Sequence, residues 1–243
     1  MTNSKYSVDE IIRTIIYVLK TGISFRNIAS KIKWRTVYFH FNRFIKANIF
    51  ERLFKRIRKK YTKNKKLKII MIDSSFIANK YKSFGRVHKS KICYGINKIK
   101  RNKYYSNKNG NKVSIITDKY GLPLSVLINK GTIHDISFVK KHIKDLHIKS
   151  SYNKILLADK GYYSKQLRDD ILQSKITLCV PPKKGLKNSL FFDKAIYKNR
   201  IFVEHCFQKI KTFRRCSFRY DKKFSSFKQN IFLTCSLILI NKL

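Results

Sequence analysis

Apolar residues recur along this chain with two different periods. From Ile11 to Leu19 they fall at helical spacing behind Ser7-Val-Asp-Glu10, a capping box in which Ser caps and Glu sits three residues on, and Gly22 supplies a stop. Phe25, Ile28 and Ile32 predict a second helix over about Ser24–Lys31, and Val37, Phe41, Phe44 and Ile45 a third over Thr36–Lys46. Three short helices with short connections make a small helix-turn-helix-like unit. Such a unit reads equally well as a plain packing domain. The stretch Arg52–Lys68 is dense in Lys and Arg and reads as the end of a helix followed by a linker, or as a solvated charged face.

Beyond it the pattern becomes strand-like. Leu67–Ile72 is an apolar run ending at Asp73. Val113–Thr117 and Leu124–Ile128 flank Lys119-Tyr-Gly-Leu-Pro123 and read as a hairpin. Ile136–Leu146 is amphipathic and entered through Asp135, and Ile155–Ala158 is a short buried strand ending at Asp159. Helices are predicted at Ser164–Gln173, Asp193–Phe213 and Ser225–Asn241, with a strand at Ile176–Val180 stopped by Pro181-Pro182. Strands buried on both faces and alternating with helices indicate an α/β domain with a mixed sheet. The division predicted is a helical region at 1–62 and an α/β domain at 63–243.

Charge sharpens this picture. The chain has 56 Lys plus Arg against 13 Asp plus Glu, a net charge of +43. A polyanion relieves such self-repulsion, because neutralising phosphates releases counterions. Nucleic acid is the expected partner. A cationic membrane binder and codon bias are the rival explanations; bias accounts for Lys over Arg but not for the scarcity of acids. The first ten residues are polar and carry no signal-peptide pattern, and the apolar run Ile231–Ile240 is too short for a bilayer, which needs about 20 residues. No membrane association is expected, and the protein is placed in the cytoplasm, on DNA. Five Cys without a C-x-x-C pair suggest reduced thiols rather than a disulfide scaffold or a zinc site.

Because acids are rare, each can be weighed. There are three Glu. Glu10 belongs to a cap, Glu51 to the basic N-terminal part, leaving Glu204. Asp73 and Asp159 each end a buried strand, where ligands gather in open α/β sheets. Two buried carboxylates side by side call for a cation, and hard oxygen donors suit Mg²⁺; each could instead merely cap the next turn. On a helical wheel Tyr197, Arg200, Glu204 and Lys211 fall within an arc of about 60°, away from the apolar face. Arg200 and Glu204, four apart, could simply pair, which leaves Tyr197 and Lys211 unexplained. His134-Asp135 reads as a helix cap more readily than as a dyad. His205 points about 100° away from Glu204.

The string Tyr197-x2-Arg200-x3-Glu204-x6-Lys211 resembles the signature of bacterial insertion-sequence transposases of the groups numbered four and five. Ile-Asp73-Ser-Ser75 and Ala-Asp159-Lys-Gly-Tyr162 look like their first and second Asp motifs. Asp118–Leu124, Gly131–Asp135, Phe213–Lys222, Gly22–Arg26 and Trp34–Tyr38 are similar to further parts of the family, so the likeness covers nearly the whole chain. It departs at Lys98–Gly110, where many relatives carry a small, Gly-rich segment, and only 44 residues separate Asp159 from Glu204, too few for the β-rich insertion of some relatives.

The resemblance implies an RNase H-like domain with a DDE triad. Asp73, Asp159 and Glu204 would be the catalytic residues and the ligands of two Mg²⁺ ions, with Mn²⁺ able to substitute. Water, then the freed 3′-OH, would attack phosphorus at transposon end and target. Tyr197, Arg200, Lys211, Arg214, Arg215, Arg35 and Arg43 would contact DNA, and holding both ends implies a homodimer in the DNA complex. The alternatives are an inactive DNA-binding remnant and a metal-dependent nuclease of the same fold.

Overall fold

The computed structural model describes residues 6–80, 109–146, 153–182 and 191–242. Helix α1 (Val8–Thr21) begins at the predicted box. The Ser7 hydroxyl accepts from the Glu10 N–H at 3.2 Å, and the Glu10 carboxylate accepts from the Ser7 N–H at 3.0 Å. Gly22 ends the helix at φ 73°, a left-handed conformation that glycine adopts without a Cβ penalty. Ile11, Ile15, Val18 and Leu19 form its buried face.

The helix expected over 24–31 does not form. Residues Phe25–Asn27 make one 3₁₀ turn and the chain is extended by Ile28. The Ser24 and Ser30 hydroxyls accept from the N–H groups two residues on, at 3.3 and 3.1 Å, which offers the backbone an alternative to helical bonding. The Phe25 ring meanwhile packs against Tyr38 and Phe41, with centroids 5.2 and 5.0 Å apart. A segment of about eight residues has little helical stability of its own, so tertiary burial decides. Helix α2 (Trp34–Lys46) and helix α3 (Ile49–Thr62) follow, separated by Ala47 and by Asn48 at φ 51°.

Five strands form one sheet: β1 (Ile69–Ala78), β2 (Gly110–Asp118), β3 (Pro123–Lys130), β4 (Lys154–Leu157) and β5 (Ile176–Cys179). Their order is β3-β2-β1-β4-β5, antiparallel on the β3 side of β1 and parallel on the β4 side. Helix α4 (Ile136–Asp145) packs on β3, and helix α5 (Lys165–Leu172), capped by Ser164, packs on β5. This mixed, helix-flanked sheet is an RNase H-like arrangement. The hairpin turn between β2 and β3 is held by the Asp118 carboxylate, which accepts from the N–H groups of Tyr120 (3.0 Å) and Leu122 (2.9 Å) and from the Tyr61 hydroxyl (2.5 Å). Gly121 sits there at φ 73°, and a Cβ on it would lie 2.6 Å from the Phe202 carbonyl oxygen.

The long helix expected over 193–213 is wound in three pieces. Helix α6 (Lys194–Tyr197) leads through a 3₁₀ turn, Lys198–Arg200, into helix α7 (Ile201–Lys211). A 3₁₀ turn advances about 120° per residue rather than 100°, so Tyr197 is rotated from its place on an ideal wheel. Helix α7 lies against β1 and β2. After α8 (Arg214–Ser217), the terminal helix α9 (Phe224–Ile240) is buried nearly all round. The side-chain amide oxygen of its Gln229, Oε1, accepts from the N–H groups of Phe50 and Glu51, both at 3.1 Å, and so caps α3 from outside. One apolar cluster runs from Ile11 through the sheet to Leu239. Among the described residues, no helix is long and apolar enough to cross a membrane.

Candidate active site

Asp73 is not the last residue of its strand. β1 continues to Ala78, paired throughout with β2, so that Asp73 faces Ile115 across the ladder. The expectation of a strand end holds only on the other edge, where β1 follows β4 no further than Met71 opposite Leu157. Two more residues in that register bring Asp73 level with Asp159. Pairing has ended at that level, and the two carboxylates are near enough for the charge of Asp159 to act on Asp73.

Each aspartate is also bonded to its own chain. Asp73 Oδ1 accepts from the Ser74 N–H at 2.8 Å, and Asp159 Oδ1 from the Gly161 N–H at 2.9 Å. Capping and clustering are thus compatible readings of the same residues. A Cβ at position 161 would stand 3.0 Å from Asp159 Oδ1, so glycine leaves that oxygen room.

Arg200, at the end of the 3₁₀ turn, connects the third acid. One guanidinium nitrogen donates to Asp73 Oδ2 at 3.2 Å, and the other bonds Glu204 Oε1. Arg200 therefore pairs with Glu204 and, at the same time, reaches across to the sheet. The Glu204 side chain remains 47% exposed, whereas Asp73 and Arg200 are each less than one fifth exposed. Burial pushes the Asp73 carboxyl up to about 6. Arg200 and the Ser74 N–H oppose that rise, and the negative charges of Asp159 and Glu204 add to it. Tyr197 is partly buried; burial also raises its phenol, against the pull of Arg200, and Phe192 stands edge-on to it at 5.2 Å. Lys211, seven residues beyond Glu204 on α7, is exposed and makes no ion pair among the described residues.

The oxygen donors suit hard divalent cations, but not as a closed cage. Among the described residues no three acidic, imidazole or thiol groups converge enough to enclose one ion. Asp73, Asp159 and Glu204 are the carboxylates that could hold such an ion, Asp73 and Glu204 once Arg200 releases them.

The other predicted DNA contacts divide. Arg35 and Arg43 are exposed on α2, with guanidinium groups 5.6 Å from the Trp34 ring and 5.7 Å from the Phe39 ring. Arg214 is exposed at the start of α8. Arg215 is not available to DNA: it is only 7% exposed, pairs with Asp221 at 3.0 Å, donates to the Ile23 carbonyl at 2.7 Å and lies over the Phe25 ring. Its buried position follows from α8, which turns one of two adjacent arginines inward against α1.

At Asp135, expected as a helix cap, the structure also differs. It occupies the position before α4, yet its side chain bonds no helix N–H. The carboxylate instead accepts from the Ser74 hydroxyl and from Lys112 Nζ at 3.0 Å. His134 is exposed, and His205 stands edge-on to Phe202 at 6.1 Å, away from the acids. Spacing concealed the bond between Ser74 and Asp135; the scarcity of acids was the one signal that could have drawn attention to Asp135. The departing segment at Lys98–Gly110 lies, up to residue 108, outside the described residues.

Known proteins bear on this geometry. A comparison with curated sequences finds no match. Among solved structures, the fold resembles a piggyBac transposase in a synaptic complex with hairpin DNA, at 11% identity and TM-score 0.54, over 100% of this chain and 68% of that one. The catalytic domain of Mos1 mariner transposase aligns more weakly, at 11% identity and TM-score 0.29, over 72% of this chain and 93% of that one. The family described as the transposase DDE domain matches residues 64–239, which include all three candidate acids. The chain belongs to that family, the DDE transposases.

Proposed function

We propose that this chain cleaves the ends of a transposon and joins the freed 3′-OH to target DNA, with Asp73, Asp159 and Glu204 as its catalytic carboxylates. The observation that carries this reading is the placement of Asp73 level with Asp159, with Glu204 tied to the same carboxylate through Arg200. The three carboxylates fit two divalent ions, Mg²⁺ or Mn²⁺, shared through Asp73; when bound, such ions stabilise the attacking and leaving oxygens of an in-line displacement. Arg200, released from the acids, and Lys211 hold phosphates beside them, Arg by its planar fork. Tyr197 stacks on or hydrogen-bonds to the strand being cut. The helical region 1–62 presents Arg35 and Arg43 to the duplex, Arg214 extends that surface, and 63–243 forms the catalytic part. A net charge of +43 favours DNA strongly and keeps the protein on it in the cytoplasm. Two protomers, one for each end, act in the DNA complex.

The test is incubation of duplexes carrying the ends that flank its own gene, in Mg²⁺ and in chelator. The wild type is expected to nick at the end and to join the new 3′-OH to plasmid DNA, and Asp73→Asn to lose both by at least about 1,000-fold. Nicking without joining would identify a nuclease. DNA binding with neither step would identify an inactive remnant.

A further inference from the structure

Helix α2 turns one face to the core and another to solvent. Val37, Phe41 and Ile45 are its buried residues, and at about 100° per residue they fall within an arc of about 80°. On the far side, Arg35, Phe39, Asn42, Arg43 and Lys46 fall within an arc of about 100°. Phe39 stands near the middle of that arc and is 59% exposed. Arg35 lies one turn before it and Arg43 one turn after it. The Arg35 guanidinium leans on the Trp34 ring at 5.6 Å, and that of Arg43 on Phe39 itself at 5.7 Å. Edge-on to Phe39, at 5.6 Å, stands the ring of His40.

A single exposed apolar residue is ordinary on a protein surface; the surroundings of this one are not. Between residues 11 and 50 the chain has no acid. Arg26, Lys31, Lys33, Arg35, Arg43 and Lys46 are all exposed, and none makes an ion pair among the described residues. The acids that bound this stretch are already engaged: Glu10 accepts from Ser7, and Glu51 pairs with Lys55 and Lys228.

Charge decides what such a face can receive. A second copy of the chain would set cations against cations. An anionic bilayer would need a broad apolar face, and α2 spends its own on the core. Double-stranded DNA offers phosphates to the arginines and base edges to whatever lies between them. A helix about 10–12 Å across fits the major groove, which is about 12 Å wide. Phosphate contacts position a helix without reading sequence. Phe39 has neither charge nor side-chain donor, so it has nothing to offer a phosphate; the apolar feature of the major groove is the thymine methyl group. Resting on the reading of region 1–62 as the DNA-binding part, we infer that α2 enters the major groove of the transposon end and that Phe39 reads its sequence by apolar contact with thymine methyl groups. Arg35 and Arg43 fix the helix on the phosphates. Phe39 determines specificity and takes no part in phosphoryl transfer.

Fluorescence anisotropy of the full chain, in chelator and without added metal, tests this with two probes: a duplex carrying the ends that flank its own gene, and a duplex of the same length and scrambled sequence. The wild type is expected to prefer the end. Phe39→Ala is expected to lower that preference by about tenfold, with the slope of log affinity against log salt unchanged. Arg43→Ala is expected to weaken both duplexes alike and to keep the preference. Replacing thymine by uracil in the end duplex removes only methyl groups; it is expected to reduce the preference of the wild type and to leave that of Phe39→Ala as it was. An undiminished preference in Phe39→Ala would overturn the assignment, as would an equal loss on both duplexes or a wild type that does not discriminate. A change in the oligomeric state of Phe39→Ala without DNA, seen by sedimentation, would give the face to a second copy instead. Binding without metal is independent of the proposed chemistry, so end preference without cleavage in Mg²⁺ would keep the role of Phe39 and remove that of the carboxylates.

Discussion

Two carboxylate–arginine assemblies in this molecule use the same chemistry to opposite ends. At the sheet edge, Arg200 divides its two nitrogens between Asp73 and Glu204, and Asp159 makes no ion pair among the described residues. Under α9, Asp221 has two. Arg215 pairs with its Oδ1 at 3.0 Å, Asn230 donates to its Oδ2 at 2.8 Å, and Arg219 donates to its carbonyl at 2.9 Å. Burial is the largest influence on both Asp73 and Asp221 and raises both. A raised carboxyl is therefore not what separates them. Charge balance is. One group carries three acids for a single contacting cation and is open at Glu204; the other carries one acid for two cations and is closed. An excess of negative charge held open asks for a ligand, whereas a satisfied network only holds the chain together.

Removing each arginine is the sharpest way to break this comparison. Arg215→Ala strands Asp221 in the interior and is expected to cost about 3–5 kcal/mol. Arg200→Ala leaves Glu204 half open to solvent and lets Asp73, already raised by burial, take up a proton, so it should cost less than Arg215→Ala, while impairing DNA cleavage. Urea unfolding of the two variants decides it; equal losses would mean that the two assemblies are equally structural.

A third buried titratable group extends the comparison to pH. His142 is wholly buried between Ser125 Oγ (2.8 Å) and Ser114 Oγ (2.9 Å), and burial lowers it from 6.5 to about 3. A depressed folded-state value means that the unfolded chain takes up the proton first. The stability contributed is whole above pH 6.5, shrinks as the pH falls below it, and is gone at about 3. At pH 5 the loss is about 2 kcal/mol, and His142→Gln should flatten that slope in unfolding measured between pH 7 and 5.

The smallest effects belong to the surface. Arg35→Ala and Arg43→Ala are each expected to weaken DNA binding uniformly across sequences and to reduce the slope of log affinity against log salt by about 1. Fluorescence anisotropy at several salt concentrations measures this, with Arg215→Ala, whose guanidinium is internal, as the contrast.

The elements whose signal is local were legible in the residues. The capping box of α1, the hairpin around Gly121, the two short parallel strands and the apolar α9 were all expected where they stand. Asp73, Asp159 and Glu204 could be singled out because acids are so few. What could not be read is what depends on a partner distant in sequence. Phe25 leaves a helical pattern because Tyr38 and Phe41 receive its ring. Arg214 and Arg215 are neighbours of identical chemistry, and only the packing of α8 on α1 exposes one and buries the other.

The sequence by itself determined an α/β chain with strand-borne aspartates, one placed glutamate and a strongly cationic surface, because periodicity, caps and charge are properties of adjacent residues. The tertiary structure alone decided that Asp73 lies level with Asp159, that Arg200 bridges two acids, and that Asp135 serves Ser74 rather than its own helix. Those contacts join residues 60 or more positions apart in most cases, and strand register and helix packing, not local propensity, bring such residues within bonding distance.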